Sequence, residues 1–283
     1  MAESNCKPWL ALAAAVAMAS YAFAADKKEF RYNVAAGATI SVVNEYGPVT
    51  LTPTTGRQVI ITATPSSNKV EVDASQNGPR IDVRTHFLQK AGPGDGRVEY
   101  QVQVPPGANL MVHSATGPIT VSKVSGDLTL EGDNASVDVR DMGSGDLRIR
   151  TINGPVVLTN VRNERVEVTS IGGEVRLSNV SGPRVTVTTT GGAIRFEGDF
   201  GQGGEYALTT HTGDLDVNLP ATASVDISAS SKNGTVENDV PLQPAQHPTM
   251  KVAEGHSFSG VANSGSSSVR LRSFSGKIRV KKM

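Results

Sequence analysis

The chain has 283 residues with 27 basic and 27 acidic side chains, so its formal charge is zero. That balance leaves no basic stripe for a phosphate backbone and argues against a nucleic-acid binder. One cysteine excludes a disulfide framework and a thiolate metal centre, and 38% hydrophobic residues exclude a chain disordered throughout.

Residues 1–24 read as a secretory signal peptide. Lys7 supplies a positive start, although Glu3 dilutes it. Trp9 to Ala19 is an apolar run, and Ala22-Phe23-Ala24 places small residues where a signal peptidase reads. Cleavage is expected after Ala24. The run is shorter than the roughly 20 residues that span a bilayer. Cys6 precedes the run, whereas a lipobox cysteine follows it, so no lipid anchor is expected. Removing this segment leaves a thiol-free chain with no membrane span, destined for the bacterial periplasm or cell surface.

Residues 25–112 are expected to form an N-terminal cap with irregular β coils. Apolar pairs two apart recur at Ile40/Val42, Val49/Leu51, Val59/Ile61, Val70/Val72 and Ile81/Val83. A glycine-rich loop at 85–97 interrupts them. Val98 to Val104 is a longer strand that ends at Pro105-Pro106.

Residues 113–237 are regular. Ile119/Val121, Leu128/Leu130, Val137/Val139, Leu147/Ile149, Val156/Leu158 and their successors through Val225/Ile227 recur mostly every nine or ten residues. Alternation at period two marks strands with one buried face. Ser-Gly-Asp, Asn-Gly-Pro, Gly-Gly and Thr-Gly-Asp join them, with glycine expected at positive φ. Alternate beats match best, which makes the higher repeat about 19 residues and two strands. A hairpin meander and a β-solenoid both satisfy such a repeat. Matching residue types 19 apart favour the solenoid, because stacked coils align equivalent positions. Val124, Met142, Val161, Val180 and Phe200 then fill the interior, and Asn160 stacks over Asn179.

Residues 238–283 are expected to be a loop followed by C-terminal capping strands at Val269–Arg272 and Lys277–Val280. Arg31-Tyr-Asn-Val34 at one end and Lys277, Arg279, Lys281 and Lys282 at the other are expected to guard open sheet edges. The fold class is all-β, a single-chain solenoid.

Asn44-Glu-Tyr-Gly-Pro-Val-Thr-Leu51, Val102-Gln-Val-Pro105, the Ser/Thr-x-x-Gly-x-Val/Ile/Leu-x-Val/Leu units from Ser114 to Val236, and the closing Ser257–Val261 and Val269–Arg279 segments carry a resemblance. The chain resembles a bacterial exported β-strand-repeat family of unknown function with adhesin-like members. The resemblance covers essentially all of 30–281. It implies an envelope β-solenoid and supplies no catalytic residues.

No histidine pair has metal-ligand spacing, and His211 falls in a turn column with Ile152, Ile171 and Thr190. Asp127 and Asp146 share a turn column, with Arg165 one coil later. Two adjacent carboxylates would need a shared proton or a cation, whereas aspartate after glycine is also ordinary turn chemistry. Arg176 over Arg195, with Asp216 on the next coil, is either an anion clamp or a solvated face. Arg148 over Glu167 reads as a surface ion pair. Thr151, Thr169, Thr188 and Thr209 recur at coil spacing as a polar ladder.

The binding candidates are therefore Arg176, Arg195, Asp127 and Asp146, with no catalytic residue, metal or cofactor assigned. The expected function is a non-enzymatic envelope scaffold or adhesin-like module whose partner is an envelope protein or glycan. A polysaccharide-active parallel β-helix enzyme and a module that self-associates through its end coils are the alternatives.

Overall fold

The computed structural model describes residues 27–244 and 255–283. The expected signal peptide and part of the 238–266 segment lie outside the described residues. Every regular element described is a strand. The N-terminal portion holds β1 (Lys28–Asn33), β2 (Thr39–Tyr46), β3 (Val49–Pro53), β4 (Gln58–Pro65), β5 (Val70–Asn77), β6 (Arg80–Phe87) and β7 (Val98–Val104). The regular coils are β8 (Asn109–Thr116) with β9 (Ile119–Ser122), β10 (Leu128–Asn134) with β11 (Val137–Arg140), β12 (Asp146–Thr151) with β13 (Val156–Arg162), β14 (Arg165–Ser170) with β15 (Val175–Ser181), β16 (Arg184–Thr189) with β17 (Ile194–Glu197), and β18 (Glu205–Thr210) with β19 (Leu215–Leu219). The chain closes with β20 (Val225–Ser231), β21 (Val236–Asn238), β22 (Ser257–Ala262), β23 (Ser267–Ser273) and β24 (Ile278–Lys282).

Successive strands of the regular coils alternate between two 12-stranded sheets. Each pairs in parallel with its equivalent in the next coil, as Leu128 with Leu147 and Val156 with Val175. The two sheets face each other across one core. All the regular apolar pairs point into it, and so does the column Val124, Met142, Val161, Val180 and Phe200. Burial of each contributes roughly 1.5–3 kcal/mol. The all-β solenoid expected from the repeat is the fold observed.

The corners explain the Ser/Thr-x-x-Gly units. At one edge the glycines stack so closely that a Cβ on Gly173 would lie 1.8 Å from the carbonyl oxygen of Gly154. One on Gly192 would lie 1.9 Å from that of Gly173, and one on Gly276 would lie 1.8 Å from that of Gly213. The residue three positions before each glycine clasps the corner from inside. Thr189 Oγ1 donates to Gly192 O at 2.6 Å, Ser170 Oγ to Gly173 O at 3.2 Å, and Gly276 N donates to Ser273 Oγ at 2.8 Å. Asn44 performs the same task near the N-terminal end, its Nδ2 donating to Gly47 O at 3.1 Å and Val98 O at 3.0 Å. One corner exchanges the two roles: Gly132 takes the clasp position and Ala135 the glycine position, and a Cβ on Gly132 would lie 2.9 Å from that of Ala135.

Positive φ therefore explains only part of the glycine pattern. Gly126, Gly145 and Gly154 do have it, but Gly173, Gly192 and Gly213 are glycine because the preceding coil occupies the space of a side chain. Left-handed backbone recurs at a second corner, in Lys123, Asp141, Asn160 and Asn179, all with φ between 54° and 56°. Asparagine and aspartate tolerate that conformation best. They also bond up the column: Asn179 Nδ2 donates to Asn160 Oδ1 at 3.2 Å and Asn160 Nδ2 to Asp141 Oδ1 at 3.0 Å.

The ends depart from chain order. At the N-terminal end β6 and β7 stack outside β2 and β3, and antiparallel β1, β4 and β5 cover them. At the other end β23 and β24 insert between β18/β19 and β20/β21, and antiparallel β22 borders β20. The reading of Val269–Val280 as capping strands is corrected here: they form an interior layer bonded on both sides. The short-range period could not reveal this, because parallel pairing places no limit on the sequence separation of its partners.

One coil is wider. Arg184 and Glu205 pair 21 residues apart where neighbouring coils use 19. Phe196, Phe200 and Tyr206 fill the extra width, with Phe196 and Phe200 stacked at 4.3 Å and Tyr206 edge-on to Phe200 at 4.6 Å. Burial pushes the Tyr206 phenol up to about 12, despite the Gly182 N–H that it accepts. Burial likewise pushes Tyr100 to about 12, and its hydroxyl meets Thr85 Oγ1 at 3.0 Å.

Two predictions follow from these contacts. Gly192→Ala should lose roughly 2–3 kcal/mol of stability. Gly191→Ala should stay within about 0.5 kcal/mol, since its Cβ would meet nothing nearer than 3.7 Å; thermal unfolding of both variants decides this. Both tyrosines have folded pKa values above the ordinary 10.0, so their contribution is complete below pH 10 and lost as pH rises towards about 12. The unfolding midpoint should fall across that window, and by less in a Tyr100→Phe/Tyr206→Phe variant.

Candidate functional site

Strand alternation that buries one side chain presents the next to water, so the outward rows of both sheets are the available surface. Arg176 and Arg195 are brought together as expected, directly opposite each other in register on β15 and β17. They do not form an open anion clamp. Glu174 Oε1 lies 3.0 Å from Arg176 Nη2 and 3.2 Å from Arg195 Nε, so a single carboxylate already bridges the pair. Asp216, on the next coil, is taken by Arg279. That guanidinium donates to both Asp216 oxygens and to Asp214 Oδ2 at 3.2 Å. The bond to Asp216 raises the Arg279 pKa further. These rows border a shallow groove of about 520 Å³ that also includes Glu197, Asn218 and Lys281.

Asp127 and Asp146 do share a turn column. Asp127 Oδ1 accepts the backbone N–H of Asp146 at 2.9 Å, which gives the first carboxylate a structural partner. Arg165 is in register with Asp146. Among the described residues no group of three or more His, Cys, Asp or Glu side chains converges as a metal site would require. Arg148 Nε and Glu167 Oε2 pair at 3.2 Å.

The threonine ladder is corrected at one position. Thr169, Thr188 and Thr209 are in register on the outward face, but the residue paired with Thr169 on β12 is Arg150. Thr151 is in register with Ser170 and is buried among the corner clasps, because the coil step there is 19 residues and not 18. His211 keeps its turn column and stacks on Phe274 at 4.6 Å, with Lys232 Nζ 5.1 Å above the Phe274 ring. Sequence reasoning missed Arg270 and Arg272 on the outward face of β23, because their neighbours exist only after the C-terminal coil inserts.

The family profile Toastrack DUF4097 matches residues 38–281. The chain belongs to the Toastrack DUF4097 family. No curated protein matches it. Among solved structures this Toastrack chain is similar to a putative adhesin from Bacteroides fragilis at 11% identity, covering 91% of this chain and 97% of that one with a TM-score of 0.49. It is also similar to a putative cell adhesion protein from Clostridium sporogenes, at 13% identity over 91% and 100% of the two chains with a TM-score of 0.29. A putative adhesin from Parabacteroides merdae matches at 9% identity over 91% and 96%, with a TM-score of 0.39. In this Toastrack chain the Ser/Thr-x-x-Gly units build corners.

Inward and outward residues on one strand should respond oppositely. Leu177 is fully buried, so Leu177→Asp should cost more than about 4 kcal/mol and unfold adjacent coils. Arg176→Ser should change stability by less than about 1 kcal/mol, because the pair it breaks is solvent-exposed. Chemical denaturation of both variants checks the assignment of faces.

Proposed function

We propose that the protein is a non-enzymatic, exported rod of the bacterial envelope that binds a partner along its outward sheet rows, in the manner of an adhesin. One observation carries this reading. The outward rows run in register over successive coils on a rigid hydrogen-bonded lattice, and the groove beside Arg176 and Arg195 is shallow, with those two arginines bridged by Glu174 and Arg279 held by Asp216. Such a surface suits extended contact. Carboxylates, lysines and tyrosines tuned for acid–base catalysis often carry shifted pKa values in a cleft that faces a substrate. Among the described residues the large upward shifts belong to Tyr100 and Tyr206, both in the core. Family membership and the adhesin-like names of the structural neighbours support the same reading. So does the sequence of residues 1–24, which supports export to the periplasm or cell surface.

Deleting the gene in the parent organism should reduce attachment to surfaces or to neighbouring cells, and the wild-type gene should restore it. Fractionation should place the protein outside the cytoplasm. Unchanged attachment, a cytoplasmic location, or depolymerisation of polysaccharide by the purified protein would each overturn the proposal.

A further inference from the structure

We propose that the outward face centred on Arg270 and Arg272 is a binding surface for an acidic polysaccharide. The inference rests on the reading of the protein as a binding rod and names its ligand class. Both arginines lie exposed on β23, two residues apart and hence about 7 Å along the strand. On one side they are opposite Ala207 and Thr209, and on the other opposite Ser228 and Ser230. The next strands outward continue the same chemistry with Thr186 and Thr188 on β16 and Ser257 and Ser259 on β22.

Several arginines within other strands of the two faces have acidic partners: Arg140 with Asp138, Arg148 with Glu167, Arg184 with Glu205, and Arg279 with Asp216. Arg162 and Arg165, at strand ends, have none among the described residues but do not stand as a pair on one strand. Among the described residues Arg270 and Arg272 make no ion pair and no side-chain hydrogen bond. The carboxylates of this face, Glu205 and Asp226, stand near the starts of their strands. Glu205 borders the same small hollow as Arg270 but is held 3.1 Å from Arg184.

Two exposed guanidinium groups this close repel each other, and an anion placed between them relieves that repulsion. Their planar donor forks match carboxylate, sulfate or phosphate oxygens. The flanking hydroxyls both donate and accept, as sugar hydroxyls require of a partner. A flat sheet face accommodates an extended chain. Two arginines on a chain of zero net charge are too few to track the phosphate backbone of a nucleic acid. The surface exists only because β23 inserts between β18 and β20; without it Ala207 and Thr209 would have no arginine neighbour.

The test is binding of the purified mature protein to polygalacturonate and dextran sulfate, with neutral dextran and anionic phospholipid vesicles as comparisons. Retention by the acidic polymers alone is expected, weakening with salt. Arg270→Ser/Arg272→Ser should lower the affinity roughly tenfold or more, and Arg270→Lys/Arg272→Lys should give a smaller loss. Arg31→Ser, on the edge strand β1 at the other end of the molecule and paired with Glu29, should bind as wild type, with thermal unfolding confirming that each variant is folded. Equal binding by the Ser variant, equal retention by dextran, or binding to vesicles alone would overturn the proposal. If attachment of cells still depends on the protein in that event, only this surface falls. If it does not, the binding-rod reading falls as well.

Discussion

Contact between backbones of successive coils governs this molecule. At the glycine corner the carbonyl oxygen of one coil occupies the space where a Cβ of the next would lie, within 2 Å at Gly173, Gly192 and Gly276. The strands on either side can then keep parallel register without a gap. A hydroxyl three residues earlier satisfies the carbonyl or amide that so tight a corner buries, and an unsatisfied group there would be costly. Core packing, face alternation and outward rows all inherit their alignment from that stack. The exchange at Gly132 and Ala135 shows the constraint from another side: space for a methyl group at one position is made by removing one at its neighbour.

Much of the fold was legible because burial imposes a period. The pairs from Ile119/Val121 to Val225/Ile227 alternate, and residues about 19 apart resemble each other because they occupy the same environment. The interior column ending at Phe200 and the Asn160–Asn179 contact were readable for the same reason. Thr151 was misplaced because counting by composition alone tolerates a slip of one residue, and a slip of one reverses the face. The glycines were recognised as corners, but their cause lies in a neighbouring coil that local sequence does not display. The insertion of β23 and β24 was illegible, since a repeat can stack in more than one order with the same inward pattern.

The candidate site was less legible than the fold for an electrostatic reason. Arg176 and Arg195 do stack, yet Glu174, at the corner just before the first of them, bridges both. Column reading finds like charges one coil apart and overlooks the acid two residues along the strand. Arg270 and Arg272 show the reverse. Their sequence neighbours suggest an ordinary alternating strand, and only the strands on either side reveal that no carboxylate has been placed opposite them.

The position of the last strands also constrains when this rod is complete. Main-chain bonds tie β24 to β19 on one flank and β21 on the other, and Met283 N donates to Leu219 O at 2.8 Å. β20 and β21 precede β23 and β24 in the chain yet lie outside them in the stack. The distal end therefore cannot reach its final order from segments taken in sequence, because β20 and β21 must wait for a layer that the chain supplies after them.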